Sequence, residues 1–192
     1  MKGKKLTSAS RKTAKAQDSF QGYVQVYTGE GKGKTTAALG LALRAAGHGF
    51  KTYFGQFLKG QPSGEILAAR KLSPLITVEQ FGRKKFLKIT EDFEEEDYRR
   101  AASGLKRCLK AMLSGQYRLI VLDEINVAIN LGLLSEGQVL EFLDRKPEGV
   151  EVVLTGRYAP ESILARADLV TEMVCRKHYY EKGVRARKGI EK

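Results

Sequence analysis

The run Gly29-Glu30-Gly31-Lys32-Gly33-Lys34-Thr35-Thr36 has the residue types of an anion cradle, set between a β-branched run and a helical one. Glycines let the backbone wrap closely, so that successive N–H groups can point at phosphate oxygens. The helix that follows adds its positive end. Lys34 can reach the phosphates, and the Thr35 hydroxyl can ligate Mg²⁺. The general pattern Gly-x-x-x-x-Gly-Lys-Thr would put a glycine where Thr28 stands; counted from Gly29, the loop is one residue short. An ordinary Gly-rich turn is the bland alternative, and the strand–loop–helix setting speaks against it.

A second signal is Leu119-Ile120-Val121-Leu122-Asp123-Glu124, an apolar strand that delivers two acids at its C-terminal end. Ligands of open parallel sheets bind at that edge, so these carboxylates should face the Gly-rich loop. One of them would hold Mg²⁺, which takes a few carboxylates together with phosphate oxygens. A third element, Thr155-Gly156-Arg157, also ends a strand, and a planar guanidinium there can grip a phosphate or form a surface ion pair. His48 and His178 are the two histidines, and no Ser/His/Asp or Cys/His arrangement can be assembled from them. His48 falls in the turn after the first helix, where capping or packing suits it; His178 is a candidate ligand contact. Cys108 and Cys175 lie far apart in apolar-periodic segments and read as buried small hydrophobes. The residues therefore position a nucleotide without offering a nucleophile. That fits phosphoryl transfer, and any reaction whose nucleophile arrives with the second substrate.

These groups need a sheet to bring them together. Short β-branched or aromatic runs alternate with longer helical stretches, the mark of βαβ units. Strands are expected over 23–28, 52–58, 76–81, 118–123, 150–155 and 169–174. Helices are expected over 34–46, over 90–114 with Thr90 as cap, over 135–144, and just after Pro160. Leu119 to Leu122 does not alternate, as expected of a strand covered on both faces. The expected fold is α/β: a three-layer, P-loop NTPase-like (RecA-like) domain with a mostly parallel sheet of about six strands.

At 192 residues the chain fits one domain, 21–192, preceded by a flexible basic arm over 1–20. Its N-terminus lacks the apolar segment of a secretory signal and no apolar run approaches the ~20 residues of a membrane span, so a cytoplasmic protein without a membrane partner is expected. The net charge of +12 raises the question of nucleic acid. Much of it is local, in Lys2, Lys4, Lys5, Arg11, Lys12 and Lys15 and again in Arg176, Lys177, Lys182, Arg185, Arg187 and Lys188. A solvated tail and a polyanion pocket account for it, and no nucleic-acid recognition module is visible.

Taken together, the blocks GEGKGKTTAALGLALRAAGHG (29–49), GQFLKG (55–60), SGE (63–65), VLDEINVAINLGLL (121–134), LTGRYAP (154–160) and KHYYEKGVRARKGIE (177–191) resemble the P-loop type of corrinoid adenosyltransferase, in order from about Gly22 to Glu191. These enzymes act on cob(I)alamin or cob(I)yrinic acid a,c-diamide, in adenosylcobalamin synthesis or salvage. The resemblance implies that Co(I) of the reduced corrinoid attacks the 5′ carbon of ATP and that triphosphate leaves whole. It assigns ATP binding to Gly29 through Thr36, with Lys34 foremost and catalytic beside Arg157, and to Arg44. Gln56, Lys59 and Glu65 would flank sugar and base. It gives Mg²⁺, with Mn²⁺ as a substitute, to Thr35 and Glu124, with Asp123 close behind.

Many members carry Gly-Phe-Thr-Trp after the third strand, whose aromatics help displace the lower axial ligand of cobalt. This chain has Phe81-Gly82-Arg83-Lys84-Lys85-Phe86, which leaves Phe81, Phe86 and His178 as the candidates for corrinoid contact. The resemblance also implies a homodimer and a reduced flavin or flavodoxin-type electron donor. The alternatives are a P-loop nucleoside kinase, which needs an acceptor hydroxyl and a base, and a RecA-like ATPase stimulated by nucleic acid.

Overall fold

The computed structural model describes residues 20–61, 63–83 and 93–191. The chain runs β1 (Val24–Thr28), α1 (Lys34–Gly47), β2 (Thr52–Gln56), α2 (Gly64–Lys71), β3 (Ile76–Gln80), α3 (Glu95–Leu113), β4 (Leu119–Asp123), α4 (Ile125–Asn130), α5 (Glu136–Asp144), β5 (Glu151–Thr155), α6 (Glu161–Arg166) and β6 (Leu169–Glu172), then a 3₁₀ turn, Tyr179–Lys182. The strands form one sheet in the order β3-β2-β4-β5-β1-β6, and every pairing is parallel. Arg118 N and Val152 N extend the ladders just beyond the strand ends, to Lys51 O and Tyr23 O.

Alternate residues of the inner strands feed two cores, one on each face of the sheet. Ile120, Leu122, Val152, Leu154, Val24 and Val26 pack with residues of α3, α4 and α5. Leu119, Val121, Val153 and Phe54 pack on the opposite face with Ala38 and Ala42 of α1 and Ala69 of α2. All five residues of β2 and of β4 are buried, which is why their sequences do not alternate. β6 closes one edge with all four residues exposed.

Three strands end earlier than the sequence pattern suggests, for local reasons. β2 stops at Gln56 because Leu58 turns to φ 63°. β3 stops at Gln80, releasing Phe81 into a packing role. β6 stops at Glu172, and the carbonyl of Met173 is taken by the amide of Gly31 at 2.6 Å. Helix α3 begins at Glu95 rather than 90. Glu94 is its cap, in a reciprocal box in which Asp97 accepts from the Glu94 amide at 3.0 Å. Thr90 lies outside the described residues, as does Phe86; of the arm expected over 1–20, only Phe20 is described. Its ring meets Phe50 edge-on, 5.5 Å between centroids, and carries the Arg118 guanidinium at 5.8 Å.

Phe81 packs beside Phe57, with centroids 5.4 Å apart, and lies over Gly104 of α3. A methyl at residue 104 would come within 2.5 Å of the Phe81 ring. Gly104→Ala is therefore expected to destabilise by about 1–3 kcal/mol through overpacking, lowering Tm by roughly 2–12 °C. An unchanged thermal melt would mean that the ring swings clear without cost. Arg83, within the stretch that departs from the family pattern, grips Asp97 through both Nε, at 2.6 Å from Oδ1, and Nη2. That guanidinium holds the Asp97 carboxyl below the usual range, so this contribution to stability is present above the ordinary carboxylate pKa and is lost as pH falls through the folded one.

Candidate active site

β5 lies between β1 and β4, so the sheet brings the C-terminal ends of all three together. There the Gly-rich loop, Glu124 and Arg157 surround a cavity of about 500 Å³. Glu30 through Thr36, Lys59, Glu65, Glu124, Arg157 and His178 all line it.

The loop depends on its glycines. Gly29 takes φ 90° against the Met173 backbone, where a Cβ would stand 2.6 Å from a carbonyl oxygen; Gly33 takes φ 124° and caps α1. Lys34, the first residue of α1, folds back over the loop. Its Nζ donates to Gly29 O at 2.6 Å and Gly31 O at 2.7 Å, and only 9 % of the residue is exposed. Burial lowers its pKa, an effect that Glu124 partly opposes. Here is an ammonium short of a counter-charge, beside a helix N-terminus.

Asp123 is fully buried and saturated. Its Oδ1 accepts from Thr35 Oγ1 at 2.8 Å and Thr155 Oγ1 at 2.7 Å; its Oδ2 accepts from Gln56 Nε2 at 3.0 Å and Lys59 Nζ at 3.4 Å. Glu124 is the opposite case. It adopts a left-handed conformation, φ 62°, and presents its carboxylate to the cavity with Lys59 Nζ 3.9 Å away. Burial, then the neighbouring Asp123, pushes its carboxyl above the ordinary value. For Lys59, burial works to lower the pKa, but Asp123 and Glu124 outweigh it and the net shift is upward.

Thr35 and Glu124 offer hard oxygens at the cavity, and that donor chemistry fits Mg²⁺, which keeps waters and substrate oxygens for its other positions. Among the described residues no group of three or more His, Cys, Asp or Glu side chains stands ready to hold a metal alone. Arg157 reaches the rim, where Nη1 lies 3.2 Å from Glu30 Oε2; both side chains are about half exposed, so this pair is weak and the guanidinium can turn to a phosphate.

The expected site residues are not all gathered. Gln56 is wholly buried behind Asp123, and its Oε1 accepts from Gln80. Arg44 stands toward the far end of α1, in an apolar hollow with Phe20, Tyr23 and Phe50. Phe81 faces Phe57 and α3, as described above. His178 does line the cavity, its Nδ1 accepting from the Tyr180 amide at 3.0 Å and its ring stacked obliquely on Tyr179.

The C-terminal segment contributes more than its motif suggested. Gly189, Ile190 and Glu191 wall the cavity, and Lys32 Nζ lies 3.3 Å from Glu191 Oε1 and 3.4 Å from Tyr179 Oη. Arg187, whose guanidinium lies over the Tyr179 ring, also donates to Glu191. The sequence signal was present in the block 177–191, but no spacing rule assigns those residues to a phosphate loop some 150 positions earlier.

Fold and site together define a P-loop nucleotide-binding protein of the RecA-like kind. In keeping with this, the KaiC-like protein PH0186 of Pyrococcus horikoshii superposes with a TM-score of 0.54 over 82 % of this chain and 75 % of its own, at 16 % identity. Residues 20–191 match the family described as ATP:corrinoid adenosyltransferase BtuR/CobO/CobP, and the chain belongs to that family. The corrinoid adenosyltransferase of Pseudomonas aeruginosa is 35 % identical over 98 % of this chain and 92 % of its own length. That of Escherichia coli K12 is 34 % identical over 94 % and 90 %. Among the described residues no helix is long and apolar enough to cross a membrane.

Proposed function

We propose that this enzyme grips the triphosphate of ATP between the Gly-rich loop and Arg157 so that bond cleavage falls at the ribose 5′ carbon. The observation that carries the reading is the burial of Lys34, whose ammonium is held by two carbonyls of its own loop in a cavity large enough for a nucleotide. Co(I) of the corrinoid, a substrate, supplies both electrons of the new Co–C5′ bond. The C5′–O bond breaks, and its electron pair departs with triphosphate. Lys34, Arg157 and the helix α1 terminus stabilise the charge that the leaving group gathers. Thr35 and Glu124 would hold Mg²⁺ or Mn²⁺, which supplies further neutralisation of phosphate oxygens when bound. Lys59 and Glu65 would flank the nucleoside, and His178, which also lines the cavity, would contact the corrinoid. A homodimer, a reduced flavin or flavodoxin-type donor and a cytoplasmic setting complete the proposal.

The test is incubation with Mg-ATP and chemically reduced cobalamin. A light-sensitive cobalt–carbon bond and one tripolyphosphate per product are expected; orthophosphate or ADP in their place would refute it. The pH dependence of the metal site follows from Glu124. A carboxyl whose folded pKa exceeds its unfolded value destabilises the fold while ionised, and that cost vanishes as pH falls through the folded pKa. The same protonation removes a metal-ligating charge. Half-saturating Mg²⁺ should therefore rise on acidification beginning above the ordinary glutamate value of 4.5, and Glu124→Gln should flatten this rise. Equal profiles for the two proteins would place the metal elsewhere.

A further inference from the structure

The Glu124 backbone is an anomaly that the reaction does not explain by itself. A non-glycine residue at φ 62° is uncommon and persists where its surroundings enforce it. Here the enforcement comes from another strand. The amide of Glu124 donates to Thr155 Oγ1 at 3.0 Å, and that hydroxyl donates its own proton to Asp123 Oδ1 at 2.7 Å. Thr155 is itself fully buried. Because β5 lies between β1 and β4, its last residue reaches the carboxylate of Asp123 and the backbone amide of Glu124 at once, and Asp123 Oδ1 in turn accepts from Thr35 of the phosphate loop.

We infer that Thr155 is a positioning residue: its hydroxyl clamps the Asp123–Glu124 peptide in the left-handed turn that aims the Glu124 carboxylate at the nucleotide. This rests on the proposed role of Glu124 in holding the metal. The hydroxyl is used in both directions, as donor and acceptor, so a methyl in its place loses both links while filling nearly the same volume. The adjoining turn is braced in the same way, by Asn126 Nδ2 donating to Gly156 O at 3.3 Å. Thr155 thus sits where the two loops at the site are tied together. Partners of this kind, one bond behind a metal ligand, change metal affinity by roughly 10–100-fold when removed.

The experiment is calorimetric ATP binding to the full chain, once with Mn²⁺ and once with EDTA, which needs no corrinoid. The ratio of the two affinities reads the metal's contribution. Thr155→Val should lower that ratio about tenfold and leave the EDTA affinity within about twofold, whereas Thr155→Ser should keep the ratio within about twofold of wild type. Thr155→Ala, which removes the hydroxyl without the added branch, is measured beside Val as a second deletion. Glu124→Gln separates the two layers of the reading. If wild type shows no Mn²⁺ enhancement, or Glu124→Gln retains it, the metal assignment falls and this inference with it. If Glu124→Gln loses the enhancement but Thr155→Val or Thr155→Ala keeps it, or Thr155→Ser is as impaired as Val, only the clamp is overturned.

Discussion

Lys34→Ala is expected to reduce adenosyl transfer by about 10³-fold, roughly 4 kcal/mol of transition-state stabilisation, without unfolding the protein. Triphosphate leaves as a multiply charged anion, and the described cavity places one buried ammonium at the floor of its loop. The two nearby lysines are engaged elsewhere, Lys32 toward Glu191 and Tyr179 and Lys59 toward the two acids, and Arg157 approaches from the rim rather than the floor. Stability should behave in the opposite way. A lysine whose pKa is lowered by burial costs the fold something while it is charged, so its removal relieves that cost. Gly31 lines the cavity, so water there can replace the lost donor at its carbonyl. The variant should thus melt at or slightly above the wild-type temperature without nucleotide, and lose the upward shift that saturating ATP gives, about 2.7 kcal/mol at a hundred times Kd. Turnover within tenfold of wild type would remove Lys34 from its assigned role.

Asp123→Asn is expected to have the second-largest effect, and on both stability and rate. The carboxylate accepts four donors and has no lone-pair face left over. An amide of the same shape must turn its NH₂ toward one pair of them. It cannot face Lys59, which has no acceptor, or Gln56, which presents its Nε2 donor there while its Oε1 is turned to Gln80. It must therefore face Thr35 and Thr155. Thr155 already accepts the Glu124 amide, so its hydroxyl proton is then left without a partner in a buried site. Lys59 is partly exposed, which places the cost at the lower end for a broken buried pair, about 3 kcal/mol, or roughly 6–12 °C in Tm. Adenosyl transfer should fall by about 10²-fold or more as Thr35 and Glu124 lose their common anchor. A melt within 2 °C of wild type would show that Asp123 is not that anchor.

How much of this was readable in one dimension depends on the range of the interaction concerned. The Gly-rich loop announces itself because its requirements are local: φ above zero at Gly29 and Gly33, a lysine one step into the helix, a hydroxyl next to it. The strands of β2 and β4 announce themselves because burial on both faces leaves no room for alternation. Helix α2 was missed since eight residues with a weak apolar face carry little periodic signal, and α4 was missed because it starts directly from the left-handed Glu124 without a conventional cap.

Arg44 and Gln56 show the other limit. The family blocks attach them to the nucleotide, but Arg44 lies two and a half turns along α1 from the phosphate loop, and Gln56 is turned inward by its bonds to Asp123 and Gln80. Conversely, Glu191 and Tyr179 reach Lys32 only because β6, at the sheet edge beside β1, returns the C-terminal segment over the loop.

The order of residues along this chain determined the phosphate loop, the buried strands and the acids at a strand end, since each is encoded by neighbours within one turn or one pleat. The family resemblance already set Asp123 behind Glu124, but the physical ground for that choice appears only in three dimensions. That choice depends on the strand order, which sets Thr155 between Asp123 and the phosphate loop, and on hydrogen bonds that must be satisfied once water is gone.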